Sequence, residues 1–320
     1  MRGKRFLDIS LALLALLFGL CAATPEVRAA TARGPVVVLL SDSEEAYRQP
    51  LESFRQEVDS EVREFNLQGD IAKDPSLRER LLDQKPSLIL ALGAKAAYAA
   101  KLWTKERQEI PVLFAMVLNW QRYDLLSGSA NMCGIAAEMA PGTQFVNMTI
   151  FSPKVRRIGL IHGPGSRQLV EQARKAAALL GLELVVDSIE RSGDFARAFK
   201  QIAPSVDAFW VINDPVLYTV ENMDWLEERC MREKLLCVGQ SPNITKLGLA
   251  LSVNPDNRNI GAQAGAVARN ILLHGQRPAE IGVMDPLDTQ VSINLGVAER
   301  IGLAISAQAL DMATTVIGYR

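Results

Sequence analysis

The stretch "GLALSVNPDNRNIGAQAGAVARNILLHG", Gly248 to Gly275, decides the fold. Its first part, 248–255, is an apolar run that reads as a strand. Its second part is a long amphipathic helix from about Asn257 to Leu273, ended by His274-Gly275. Two complete series of alternating strands and helices already precede it, so these pieces exceed a second lobe of the first one's size. The economical solution is a chain that crosses back to the first lobe. Two lobes joined by several crossings form a hinged cleft, not two beads on a linker.

The first series opens with "PVVVLL" (35–40), a continuous apolar run of the kind buried on both faces. A helix is predicted over Glu44 to Val58, where Pro50 either kinks it or marks an irregular first turn. "EVREFNL" (61–67) alternates as a strand, and a helix follows from Pro75. "SLILAL" (87–92) is a third strand, which Gly93 ends before an Ala-rich helix. "PVLFAMV" (111–117) is a fourth. From Ser127 to Pro153 the signals weaken, as expected for a crossover between lobes. The second series has strands at 156–162, "LELVVDSI", 206–214 and "LLCVGQS", with helices between them. "TQVSINLGVAERIGL" supplies a last strand and helix. Such alternation predicts an α/β protein with two parallel sheets flanked by helices.

The chain has 320 residues, room for two domains, and 48% hydrophobic residues provide a sizeable core. Lys+Arg 35 against Asp+Glu 36 gives no electrostatic reason to propose nucleic acid as a partner. Arg2, Lys4 and Arg5, then the apolar run Leu11 to Leu20 and the small residues of "VRAATA", read as a secretory signal over 1–32. Cleavage is expected after Ala29 or Ala32, which makes the protein periplasmic. Lipidation at Cys21 is the alternative, disfavoured by Leu20 directly before it. Cys133, Cys230 and Cys237 would remain, and an odd count reads as packed or idle thiols rather than a disulfide framework. A Cys230–Cys237 bridge is the other reading. Their spacing, with only His162 and His274 to help, does not suggest zinc.

Open parallel sheets bind ligands outside the carboxyl ends of their strands. In lobe one those ends carry Ser41-Asp42-Ser43, Gly93-Ala94-Lys95 and Asn119-Trp120. In lobe two they carry His162 to Ser166, Asn213-Asp214 and Gln240-Ser241. Helices starting after several of them present free N–H groups, which suit a carboxylate or similar anion. Asp214 could answer an ammonium group, and Tyr47, Trp120 or Trp210 could offer an aromatic wall. The candidate ligand-binding residues are therefore Ser41, Asp42, Ser43, Tyr47, Gly93, Ala94, Lys95, Asn119, Gly165, Ser166, Asp214 and Ser241. Each also has a plain structural reading: Ser41 and Ser43 as helix caps, Gly93 as a turn, Asp214 as a cap beside Pro215, Trp210 as core.

Enzyme signatures are weak. "GPGSRQ" (163–168) follows a strand, but Gln168 stands where a dinucleotide fingerprint has its third Gly or Ala. No P-loop or G-x-S-x-G pattern occurs. His162 near Ser166 is poor evidence for a nucleophile and base.

Several segments resemble one family. "AYRQPLESFRQEV", "PSLILALGAKAA", "IPVLFAMVLN", "SANMCGI", "VDAFWVINDPVL" and "INLGVAERIGL" are similar to stretches of the type I periplasmic solute-binding proteins of ABC transporters. The branch is the one with tryptophan- and tyrosine-binding members. "KLGLALSVNPDNRNIGAQAGAVARNILLHGQRPAEIGV" is the most specific match, with Gly248, Gly261, Gly275 and Pro278 in register. Asn119-Trp120 replaces the family's common Asp-Pro, and Cys133 its common Thr. The resemblance implies a two-lobed fold, 33–136 with about 254–280 and 137–253 with about 281–320. It also implies no cofactor, no reaction, capture of a small solute such as an amino acid or related small acid, and delivery to an ABC permease. A sensory module signalling to a membrane kinase would have the same fold, and a secreted α/β enzyme is the remaining alternative.

Overall fold

The computed structural model describes residues 34–318; the signal segment 1–32 and Cys21 lie outside them. In chain order the elements begin with β1 (Val36–Leu40), α1 (Arg48–Glu57), β2 (Val62–Asn66), α2 (Leu77–Leu82), β3 (Leu88–Leu92), α3 (Ala94–Trp103), β4 (Val112–Val117) and β5 (Met132–Ala136). Then come α4 (Pro141–Phe151), β6 (Arg157–His162), α5 (Arg167–Leu179), β7 (Glu183–Ser188), α6 (Phe195–Ile202), β8 (Ala208–Trp210), α7 (Val220–Glu233), β9 (Leu236–Gly239), α8 (Pro242–Leu247) and β10 (Leu251–Pro255). The chain ends with α9 (Asn257–His274), α10 (Pro278–Ile281), β11 (Val283–Met284), β12 (Thr289–Asn294), α11 (Leu295–Arg300), α12 (Ala307–Asp311) and β13 (Thr315–Ile317).

Two sheets result, in one packed unit. The first has the order β11-β5-β4-β3-β1-β2 and is parallel throughout its described pairs. The second has the order β13-β12-β10-β9-β8-β6-β7. It is parallel apart from the antiparallel pair β10–β12, which departs from the all-parallel expectation. The Ser127–Pro153 stretch is more regular than its composition suggests, containing β5 and α4. β11 also joins the first sheet, beside β5. Beyond the expected last helix, α12 follows and β13 forms the second sheet's edge.

The inner strands of the first sheet are apolar because both faces are covered, whereas the edge strand β2 is largely polar. Val37, Leu39, Ile89 and Ala91 pack on one side with Ala96, Ala97 and Trp103 of α3. Val36, Val38, Leu88 and Leu90 pack on the other with Leu51 and Phe54 of α1 and Ile260, Ala264 and Ala268 of α9. The period of two along each strand makes that partition. Each fully buried Val, Leu, Ile or Phe among them contributes about 1.5–3 kcal/mol.

The return crossing is fixed by α9 on α1. A Cβ at Gly261 would collide with the Pro50 carbonyl oxygen, so only glycine permits this approach. Arg269 adds hydrogen bonds to the Glu57 carbonyl and carboxylate. Pro50 falls in the first turn of α1, where its missing N–H breaks no helical bond, and a 3₁₀ turn at Glu45–Tyr47 precedes it. In the second lobe Trp210 is fully buried and meets Phe145 of α4 edge to face at 5.1 Å, so it is core and not a cleft wall.

The reading of Cys230 and Cys237 as idle thiols is corrected. They form a disulfide with Cα atoms 6.1 Å apart, between the end of α7 and β9. Lys234, left-handed at φ 53°, ends α7 and turns the chain back so that the two residues meet. Cys133 is free and buried in β5.

Candidate functional site

The carboxyl ends of both sheets border a cavity of about 600 Å³. Tyr47, Ala94, Met116 and Tyr123 line it from lobe one. Asn213, Gln240, Ser241 and Gln290 line it from lobe two. A smaller chamber of about 350 Å³ adjoins it and shares Leu118, Tyr123 and Asn213 with it. Asn119, Arg122, Asp214, Tyr218 and Leu247 line that second chamber.

Local geometry explains the lobe-one wall. Gly93 has φ 90° and ψ 166°, a region open essentially to glycine alone. A Cβ there would collide with the Tyr47 hydroxyl and stand 2.6 Å from Ser41 Oγ. Ser41 is buried, and its Oγ accepts a hydrogen bond from Ala96 N at 2.9 Å, capping α3 from outside the helix. Tyr47 is hydrogen-bonded to the Ser41 side chain, and its hydroxyl pKa is raised, first by burial and then by Glu44. Ser41 and Gly93 thus stand behind Tyr47 and set its position.

Four expected residues are directed elsewhere. Ser43 Oγ accepts from Asn66 Nδ2 at 2.9 Å, and the Lys95 ammonium donates to the Gly69 carbonyl. Asp42 lies beside the same Gly69 turn. Gly165 is exposed with nothing near the position of a Cβ. None of the four lines either chamber. The reason is common to the first three: the end of β2 and the loop after it pass close to the ends of β1 and β3 and take up these polar groups.

Asp214 is only 5% exposed. Its Oδ2 accepts from Gly163 N and Ser166 Oγ, both at 2.9 Å, and its Oδ1 from Val216 N at 3.3 Å. This carboxylate ties the turn after β6 to the turn after β8; the helix that follows is capped by Thr219, not by Asp214. Ser166 is directed at Asp214, whereas His162 Nδ1 contacts the Gly163 carbonyl oxygen at 2.8 Å. The pair therefore lacks a nucleophile–base contact. Among the described residues no group of three His, Cys, Asp or Glu side chains is placed to hold a metal.

Residues outside the expected set complete the site. β4 carries a bulge between Phe114 and Val117, with Met116 at φ 58°, and Asn119 is left-handed at φ 46°. Bulges re-aim side chains, and here Met116 and Leu118 both reach the cavity. Asn254 and Gln290 face each other in the antiparallel register of β10 and β12. Glu138 lies on the segment that crosses between lobes. Its Oε2 accepts from Asn119 N at 2.7 Å and its Oε1 from Asn213 Nδ2 at 3.0 Å. Burial raises its carboxyl pKa, against the lowering effect of those two hydrogen bonds. A carboxylate among Ala, Met and Pro in a weak-signal stretch was the cue available in the sequence.

The sequence profile of the family described as ABC transporter substrate binding protein matches residues 53–317. The chain belongs to that family. Solved structures agree on the fold of this substrate-binding protein, type I and two-lobed. It is similar to the ligand-free, open structure of a substrate binding protein with adhesive properties from Clostridium difficile. There the TM-score is 0.72 at 17% identity, over 89% of this chain and 100% of that one. The ABC domain in complex with L-Trp from Streptococcus pneumonia gives 0.59 at 19%, over 88% and 100%. A conserved domain protein from Vibrio cholerae gives 0.61 at 21%, over 89% and 99%. No curated protein sequence matches the chain. Among the described residues of this substrate-binding protein, no helix is long and apolar enough to cross a membrane.

Proposed function

We propose that this chain is the extracytoplasmic solute-binding component of an ABC importer. It captures a small solute between its lobes by hinge closure and presents the closed form to a membrane permease. In this reading lobe one is built on the first sheet with α9 and β11, and lobe two on the second sheet. The crossings near Glu138, Pro255 and Asp285 act as the hinge. The signal segment over 1–32 exports the protein to the periplasm.

The observation that carries the reading is the cavity of about 600 Å³, lined from both lobes by strand-end residues. That size falls within the range of small-molecule sites. Tyr47, Ala94 and Ser241 would touch the solute in the main chamber, and Asn119 and Asp214 would border the second. Ser41 and Gly93 act through Tyr47.

An amino acid or related small acid is the solute that the family resemblance suggests. Thermal unfolding of the exported chain against a panel of small solutes tests the reading. A ligand at 100 times its Kd raises apparent stability by about 2.7 kcal/mol. Stabilisation that Asn213→Leu abolishes is the expected result. Stabilisation untouched by that variant, or none from any solute, counts against it.

A further inference from the structure

The main chamber has an unusual polar lining. Gln49, Asn213, Gln240, Asn254, Asn257 and Gln290 bring carboxamides to it. Among the described residues it is lined by no Lys, Arg or His, and by one carboxylate, that of Glu44, which is exposed at the rim.

The charged side chains that would hold a zwitterion are committed elsewhere. Asp214 accepts three hydrogen bonds inside lobe two, and Glu138 accepts two at the crossing. At the amino end of α3, Ala96 N is taken by Ser41 Oγ. The Lys95 ammonium is turned to Gly69. Arg122 stands on the second chamber, but it is exposed and lies over the Tyr123 ring, where solvent weakens ion pairing. Closing the lobes over a charged group would remove its water without supplying a countercharge.

A carboxamide both donates and accepts, and so suits hydroxyl and amide groups that carry no charge. Gln240 is only 8% exposed, lines the chamber, and uses its Oε1 to accept from Asn213 at 3.4 Å; among the described residues its Nε2 has no partner. Leu118, Tyr218, Ile244 and Leu247 give the second chamber an apolar wall for a ring or other apolar part. Resting on the solute-binding reading above, but in place of the amino acid that the family resemblance suggests, we infer that the solute is an uncharged small molecule bearing several hydroxyl or amide groups. Its polar edge lies on the carboxamides and its apolar part in the second chamber.

The test is calorimetric titration of the exported chain in three arms. Uncharged probes are nucleosides and monosaccharides, zwitterions are L-tryptophan and L-tyrosine, and succinate is the anion. The inference expects an uncharged probe to bind at least ~100-fold more tightly than any charged one. That affinity should be nearly unchanged between about 0.05 and 0.5 M salt. Gln240→Leu should weaken it at least ~10-fold. Gln290→Leu, at the other side of the chamber, should do the same and covers the case in which Gln240→Leu lowers the ligand-free melting temperature. Binding confined to the zwitterion or anion arm overturns this inference and leaves the solute-binding reading standing. Silence in every arm overturns both.

Discussion

Glu138, on the segment that crosses between the lobes, is hydrogen-bonded to Asn213. Glu138 Oε1 accepts from Asn213 Nδ2 at 3.0 Å, while its Oε2 holds Asn119 N at 2.7 Å. One carboxylate thus joins the end of β4, the crossing segment and the end of β8. Glu138→Ala leaves the buried Asn119 N–H unpaired. It should lower stability by about 1–3 kcal/mol in urea unfolding.

The pH dependence of that bond has a defined sign. The folded-state pKa of Glu138 is raised by burial above the ordinary 4.5, so the folded protein binds this proton more tightly than the unfolded chain does. The linked stability is fully present below 4.5 and is lost as pH rises through the raised value. The stability of wild type relative to Glu138→Gln should therefore increase as pH is lowered across that window. A difference that stays flat, or decreases, contradicts the burial assigned to Glu138.

Gly93→Ala tests the lobe-one wall. The substitution combines a strained φ of 90° with a collision against Tyr47 and Ser41. A loss of about 2–3 kcal/mol is expected in denaturant unfolding, with altered Tyr47 environment in near-ultraviolet circular dichroism.

Asp214 gives a test that separates structure from binding. Its carboxylate satisfies three donors within lobe two. Asp214→Ala should cost about 2–3 kcal/mol of stability. Affinity for a bound solute should change by less, about 1 kcal/mol or under. A large affinity loss with unchanged stability would instead make Asp214 a direct ligand contact.

The disulfide gives a further test. Cys230 and Cys237 close a loop with sequence separation 7, and Cys230→Ala with Cys237→Ala should cost about 2–3 kcal/mol. Burial pushes the Cys133 thiol up to about 12. Alkylation followed by mass spectrometry should label Cys133 only after unfolding, and the other two only after reduction.

The α/β alternation and the return helix were legible because hydrophobic period and length fix strands and helices. Gly248–Gly275 forms β10 and α9, and α9 packs on the first sheet. The main cavity is bordered by strand ends that the sequence singles out. What a strand end does not reveal is which of two neighbours turns inward: Asn213 lines the main chamber, and Asp214 turns into lobe two. The β4 bulge that aims Met116 depends on register with β5 and leaves no local signal. Asn254 and Gln290 become neighbours only through antiparallel pairing between distant segments. The disulfide likewise depends on how tightly α7 turns into β9.

Closure of the two lobes on a solute can be measured directly. Dyes placed through Arg48→Cys on α1 and Lys246→Cys on α8, both exposed positions on opposite lobes, report the distance across the cleft. Saturation with any solute that raises the melting temperature should increase energy transfer between them, and Asn213→Leu should remove the increase. A solute that stabilises the protein while the transfer efficiency stays constant would contradict capture by closure.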